Sequence, residues 1–207
     1  MFITFEGVEG GGKTSQIALL AEFLQEQGFS VITTRQPGGT AIGQQIRNCL
    51  HDVANTAMTS KAEILLYAAD RAQHVGEIIQ PALAEGKIVI CDRYTDSTMA
   101  YQGYGRGLDR DTLAWINQFA TGGLQPTLTF LLDVDIETGL QRRRMGDLEM
   151  NRMDQQTIDF YTRVKEGFSQ LVQAEPERWL VIDANRPLRV VQEALQKSLL
   201  PRLISAT

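Results

Sequence analysis

Five short apolar runs mark the chain at 2–6, 30–34, 88–92, 127–133 and 179–183, among them Ile88-Val89-Ile90-Cys91-Asp92 and Trp179-Leu180-Val181-Ile182-Asp183. Most are continuous rather than alternating, the pattern of strands covered on both faces of a parallel sheet. Between them the periodicity becomes helical, over 13–27, 41–51, 60–85, 109–121, 136–144, 154–175 and 187–204. Ile17, Leu20, Ala21 and Leu24 share one face of the first helix, and Ile64, Ala68, Val75 and Ile79 are the expected buried stripe of the long one. Gly28 and Gly86 stand where C-caps belong, and Ser60 with Glu63 has capping-box spacing. Strand and helix alternate throughout. The expected fold is α/β, a five-stranded parallel sheet with helices on both faces, with reactive groups at the carboxyl ends of the strands.

The first strand runs directly into Gly7-Val8-Glu9-Gly10-Gly11-Gly12-Lys13-Thr14, and the first helix runs out of it. This is a complete GxxxxGK[ST] phosphate loop in the context it requires. Its glycines let backbone N–H groups turn toward phosphate oxygens, and the helix N-terminus adds partial positive charge. Lys13 is then expected to reach the β- and γ-phosphates, and Thr14 to ligate Mg²⁺. The chain is expected to bind a nucleoside triphosphate through Gly7 to Thr14.

Other strand ends carry further candidates. The third core strand closes in Asp92-Arg93-Tyr94, and an Asp after four apolar residues is expected to place a carboxylate beside Mg²⁺, a strand-end Asp that caps the next helix being the alternative. The second strand leads into Arg35-Gln36-Pro37-Gly38-Gly39-Thr40, a rigid turn before a helix and a prospective second anion site, or an ordinary strand–helix loop. On the long helix, Tyr67 and Arg71 are an i,i+4 pair that could sandwich and hydrogen-bond a nucleobase. The plainer alternative is a Tyr at the helix edge above an Asp70–Arg71 surface. A basic stretch, Arg142-Arg143-Arg144 to Asn151-Arg152, is interrupted by Gly146. It suits a mobile lid at about 142–153 that closes arginines over a transferring phosphate; a solvated helix end is the alternative.

Composition narrows the classes. The 207 residues, 43% hydrophobic and 22% charged, suit a soluble protein of one domain spanning 1–207. A net charge of −5 argues against nucleic acid as partner. No apolar run of 18 residues offers a membrane span, and the opening residues enter a core strand rather than a secretory signal. Cys49 and Cys91 have no metal or CxxC spacing and are expected as buried thiols in a reducing, cytoplasmic compartment. Two histidines, His51 and His74, make no metal site. The basic residues are skewed, fifteen Arg to five Lys, which favours forked recognition of phosphates and flat bases.

Four motifs in order now carry a resemblance. Phe5 to Thr14 resembles the opening of the bacterial-type thymidylate kinases, and Arg35-Gln36-Pro37-Gly38-Gly39-Thr40 is similar to their REPGGT turn. Leu66-Tyr67-Ala68-Ala69-Asp70-Arg71-Ala72-Gln73-His74-Val75 resembles their LFAADRAQHV helix. Asp92 to Gly103 resembles their DRYxxSxxAYQG segment, and the likeness covers nearly the whole chain.

That resemblance implies a P-loop kinase fold with a small mobile lid. It implies transfer of the γ-phosphoryl of ATP to dTMP with Mg²⁺, in a likewise implied homodimer. Glu9 would approach the acceptor's 3′-hydroxyl, and Arg93 with Arg47 would hold its phosphate. Tyr67 would stack on thymine, Arg71 would reach its O4, and Thr98 its other edge. Tyr101 would crowd the sugar 2′ position, with Pro37 and Gln102 also in the acceptor site. Position 10 is Gly where eukaryotic-type enzymes carry a catalytic Arg, so Arg152 and Arg144, then Arg142, are the expected lid cations beside the catalytic Lys13, Asp92 and Arg93. Gln36 replaces the family's Glu, which would remove a negative charge near the phosphates, and the usual Phe is Tyr67. The alternatives are a kinase of another nucleotide such as dUMP, a scaffold ATPase without a small-molecule acceptor, or a P-loop switch protein. The last would need an NKxD-type tetrapeptide that the chain lacks.

Overall fold

The computed structural model describes residues 1–145 and 151–204, Ile204 by its backbone alone. Five strands, β1 (Phe2–Glu6), β2 (Val31–Arg35), β3 (Ile88–Asp92), β4 (Leu128–Asp133) and β5 (Trp179–Asp183), pair in parallel in the order β2-β3-β1-β4-β5. Each coincides with an expected strand to within a residue. Coverage on both faces holds for the middle of the sheet, where β1 is buried throughout. The edge strands depart from it. No residue of β2 is fully buried, and β5 exposes Val181 and Asp183. An edge strand has only one neighbour, so its side chains keep solvent on one flank.

The register sets the strand ends level. Asp92 lies beside both Phe5 and Arg35, and Glu6 beside Leu131. Everything that follows β1, β2 and β3 therefore opens onto one edge of the sheet. Helix α1 (Lys13–Glu26) buries Ile17, Leu20, Ala21 and Leu24 as its spacing predicts. Phe5 and Phe130 meet beneath it with ring centroids 5.1 Å apart.

Helices α2 (Ala41–His51) and α3 (Ser60–His74) precede a π-turn over Val75–Ile79 and a short α4 (Gln80–Ala84). The predicted helix 60–85 is thus continuous but changes register. Pro81 has no N–H to return to the preceding turn, and the Gln80 N–H reaches back to Val75 O instead. Its buried stripe holds at Ile64, Val75 and Ile79, while Ala68 is half-buried. The cap is Thr59 rather than Ser60, with Thr59 Oγ1 accepting from Ala62 N. Glu63 is diverted to other partners.

Helix α5 (Thr95–Thr98) continues as a π-stretch over Met99–Gly105, a helical segment that the apolar spacing does not announce. Then come α6 (Arg110–Thr121), α7 (Ile136–Met145), a 3₁₀ turn (Arg152–Gln155), α8 (Ile158–Ala174) and α9 (Leu188–Ile204). The expected helix 154–175 is therefore broken, because Thr157 starts α8 by accepting from Phe160 N. Gly146 and Asp147, within the expected lid, lie outside the described residues. Cys91 is buried but Cys49 is exposed, against expectation. Among the described residues no helix is long and apolar enough to cross a membrane.

Candidate active site

A cleft of about 1180 Å³ opens along the carboxyl edge of the sheet. Gly12 enters α1 with φ 81°, and a Cβ there would meet nothing within 4 Å, so the loop backbone is open to an approaching ligand. Lys13 folds back onto its own loop, donating from Nζ to Gly7 O at 3.0 Å and Val8 O at 2.9 Å. Burial, then the nearby Arg93, lowers its ammonium to about 8. Thr14 Oγ1 donates to Asp92 Oδ2 at 3.1 Å across the cleft floor. A hydroxyl and a carboxylate side by side are hard oxygen donors, which fits a cation that completes its shell with phosphate oxygens and water. Glu9 to Thr14 line the cleft, whereas Gly7 and Val8 lie behind it.

Opposite the loop, the residues expected at an acceptor converge. Pro37, Arg47, Tyr67, Arg71, Thr98 and Gln102 all line the same cleft, with Arg93 and Tyr101. Arg47 Nη1 donates to Pro37 O at 2.9 Å. The bond from Gly38 N to Asp70 Oδ1 at 2.9 Å fixes the turn against α3. Asp70 and Arg71 are not a surface pair, being 1% and 2% exposed. Arg71 is held on every side: Nε donates to Gln36 Oε1 at 3.0 Å, Nη1 to Asn117 Oδ1 at 2.6 Å, and Nη2 to Thr98 Oγ1 at 2.9 Å and Tyr94 O at 3.2 Å. Burial lowers its pKa from the ordinary value. Gln36 thus serves Arg71 and His74, and brings no negative charge to the cleft that it lines.

Between the two halves, Arg93 Nη2 donates to Glu9 Oε1 at 3.1 Å, and the Tyr101 hydroxyl to Glu9 Oε2 at 2.7 Å. The guanidinium carbon stands 4.9 Å from the centroid of the Tyr101 ring. Burial alone would pull Arg93 down, but Tyr101, Glu9 and Glu6 outweigh it and hold the cation above its ordinary value.

The basic stretch is distributed differently from the expectation. Arg152 does not line the cleft. Its Nε donates to Leu50 O at 2.9 Å, and Nη2 pairs with Glu63 Oε2 at 2.5 Å. Arg106 joins the same carboxylate at 2.7 and 2.9 Å, and Gln102 at 2.8 Å. Burial pushes Glu63 up, but the hydrogen bonds from Arg106 and Gln102 prevail and keep it below its ordinary value. Arg152 is thus a buried ion-pair member rather than a poised cation. Arg144 is exposed and outside the cleft lining. Arg142 and Arg143 do line it. Arg142 Nη1 donates to Ala184 O at 2.7 Å, and Arg143 grips Asp154 with Nε at 3.0 Å and Nη2 at 2.7 Å. Asp154, which orients Arg143, has its own place set by Asn151 N at 2.8 Å.

Sequence reasoning missed Asn117, Asp154 and Ser97. None stands in a phosphate-binding pattern, although Ser97 falls inside the quoted Asp92 to Gly103 motif.

A phosphate loop, a Thr–Asp pair on the floor and an arginine-lined acceptor pocket facing them define a P-loop kinase of small molecules. The family profile described as thymidylate kinase matches residues 5–195. The thymidylate kinase of Geotalea uraniireducens is 50% identical, covering 98% of this chain and 97% of that one. That of a Synechococcus strain is 51% identical over 100% of this chain and 98% of its own. The crystal structure of thymidylate kinase from Ehrlichia chaffeensis superposes with a TM-score of 0.79 at 36% identity, covering 96% of this chain and 98% of that one. The chain belongs to the thymidylate kinase family.

Proposed function

We propose that this chain transfers the γ-phosphoryl of ATP to dTMP, giving dTDP and ADP for dTTP synthesis. One observation carries the reading: a buried guanidinium, Arg71, fixed by four partners beside Tyr67 at the acceptor end of the cleft. Such a group is preorganised to donate to a carbonyl edge of a planar base stacked on Tyr67. The phosphate of the acceptor would lie between Arg93 and Arg47, pointing at the loop. The reaction needs no covalent intermediate, only alignment and neutralisation of charge. Lys13 would leave Gly7 O and Val8 O for the phosphates of the donor. Thr14 and Asp92 would hold Mg²⁺, which would supply charge neutralisation at the phosphates. Glu9, fixed by Arg93 and Tyr101, would receive the sugar hydroxyl.

With position 10 a glycine, the cleft-lining Arg142 and Arg143 are the cations best placed to meet transition-state charge. Residues 1–207 would work as one cytoplasmic kinase domain. Exposed Leu65 on α3 and the stacked, exposed Trp115 and Phe119 on α6, 5.7 Å between centroids, favour pairing with a second copy. Light scattering would test this, since a monomer at assay concentration would reject it. Mixing the chain with ATP and a panel of nucleoside monophosphates tests the reaction. ADP should form fastest with dTMP and more slowly with dUMP, because one methyl in a pocket is worth ~1–3 kcal/mol. Turnover with a ribonucleotide alone would reject the reading.

A further inference from the structure

Among the described residues, Arg93 is the one non-glycine with positive φ, at 69°. A side chain in that region strains the backbone and persists only where its surroundings hold it. The surroundings here centre on Glu6, the last residue of β1, which is 0% exposed and outside the cleft. Glu6 Oε1 accepts from Tyr94 N at 2.8 Å and Ser97 N at 3.2 Å, and Oε2 accepts from Ser97 Oγ at 2.5 Å. Ser97 Oγ in turn accepts from Arg93 Nη1 at 3.1 Å. One buried carboxylate therefore ties down the residues on the C-terminal side of Arg93 and the hydroxyl on which its guanidinium rests.

The polarity of that hydroxyl is the telling point. An ionised carboxylate can only accept, so Ser97 must give Glu6 its single proton, leaving its lone pairs for Arg93. The guanidinium is then stretched between Ser97 on one side and Glu9 on the other. Building on the proposed function, we infer that Glu6 is a positioning residue for phosphoryl transfer: through Ser97 it sets the direction of the Arg93 guanidinium toward the acceptor's phosphate.

An amide at position 6 keeps the size of the side chain but reverses this polarity. Its oxygen serves the two backbone N–H groups, and its NH₂ then faces Ser97. The hydroxyl would receive two donors and have no acceptor for its own proton, so Arg93 would lose its rest. Glu6→Gln should therefore act on the acceptor and spare the donor. At about pH 8, above the Glu6 value of about 7 set by burial and Asp96, KM for dTMP should rise by roughly tenfold or more while KM for ATP stays within about twofold. Ser97→Ala should raise KM for dTMP as well. In that background Glu6→Gln should add little, because the mispaired hydroxyl is gone.

If Glu6→Gln does not fold by circular dichroism, Ser97→Ala alone decides, by the same split between the two KM values. Equal changes in both KM values, or effects of the two substitutions that multiply in full, would overturn the inference and leave Glu6 a structural cap. The wild-type panel is run first. If another monophosphate is the acceptor, the substrate reading fails while the split is still measured with that acceptor.

Discussion

Gln36 stands between Arg71 and His74 as a bridge of fixed polarity. Its Oε1 accepts from Arg71 Nε at 3.0 Å, so its Nε2 must donate to His74 Nδ1, 2.9 Å away. The imidazole is thereby left as the Nε2–H tautomer, donating to Thr34 Oγ1 at 2.6 Å. Burial, then the Arg71 charge, lowers its pKa to about 4.

Gln36→Glu should reverse this. A carboxylate keeps the bond to Arg71 but cannot donate to Nδ1, and its charge favours a protonated imidazole. The His74 pKa should rise above 4, followed by NMR of the ring protons. The sign for stability follows from the same linkage. In the wild type, unfolded His74 takes a proton below about 6.5 that the folded ring refuses until about 4, so stability falls as pH drops through that window. The variant should lose less stability there. An unchanged His74 titration would show that Gln36 does not control the ring.

Lys13 should couple donor binding to a proton. Its ammonium is lowered to about 8 in the free protein, and a triphosphate chain favours the charged form. Near pH 8.5, about half a unit above that value, ATP binding should take up protons, and affinity should fall as pH rises further. Calorimetry in buffers of different ionisation enthalpy reads the uptake. Lys13→Ala should abolish both the uptake and turnover, and uptake that survives the substitution would assign it to another group.

Arg71 makes a sharper test of the acceptor pocket than its removal would. Arg71→Lys keeps the charge but loses the fork that reaches Gln36, Asn117 and Thr98 together. Hydrogen bonds to a charged group contribute ~1.5–3 kcal/mol, so KM for dTMP should rise about 10- to 100-fold with KM for ATP little changed. A lysine enzyme with normal KM for dTMP would exclude a base-reading role for the fork.

The two ends of the basic stretch should part company. Arg143→Ala should lower kcat with little change in nucleotide Kd, because Arg143 lines the cleft and Asp154 orients it. Arg152→Ala should chiefly lower the melting temperature, since it removes a charged hydrogen bond of ~1.5–3 kcal/mol from Glu63 and the bond to Leu50 O, while Arg106 and Gln102 still hold the carboxylate. Steady-state kinetics and thermal unfolding of both variants decide. If Arg152→Ala melts like the wild type yet loses turnover, the original lid expectation for that residue returns.

Tyr101→Phe should keep the preference for deoxyribose, since the ring stays in place, but should slow turnover by releasing Glu9 Oε2. Tyr101→Ala should let a ribonucleotide compete. Comparing kcat/KM for the two sugars measures both, and unchanged discrimination in the alanine variant would remove Tyr101 as the sugar filter.

What could be seen in the sequence was whatever local spacing encodes. The five strands were visible as apolar runs, and the phosphate loop as a pattern of glycines with one lysine. Helix α5 and its continuation were not visible. Their start depends on Glu6, 91 residues away from Ser97, and their own residues are rich in Thr and Gly. Arg152 misled for the same reason, because its partner Glu63 lies 89 residues away on another helix. A charge run shows which residues are basic and not which are already neutralised. Arg71 and Tyr67 are legible as a pair because their i,i+4 relation is local, although the ring of partners that fixes Arg71 is not.

The phosphate loop and α7 touch backbone to backbone. A Cβ on Gly10 would come within 1.9 Å of Gly139 O, and one on Gly139 within 2.4 Å of Glu9 O. The two positions therefore constrain each other's future. A side chain at position 10 requires α7 to shift, because its first atom collides with the helix that carries Arg142 and Arg143, the cations proposed above to meet transition-state charge. A shift of α7 would carry Arg142 and Arg143 with it, so a side chain at position 10 and the present placement of these two arginines are alternatives rather than additions.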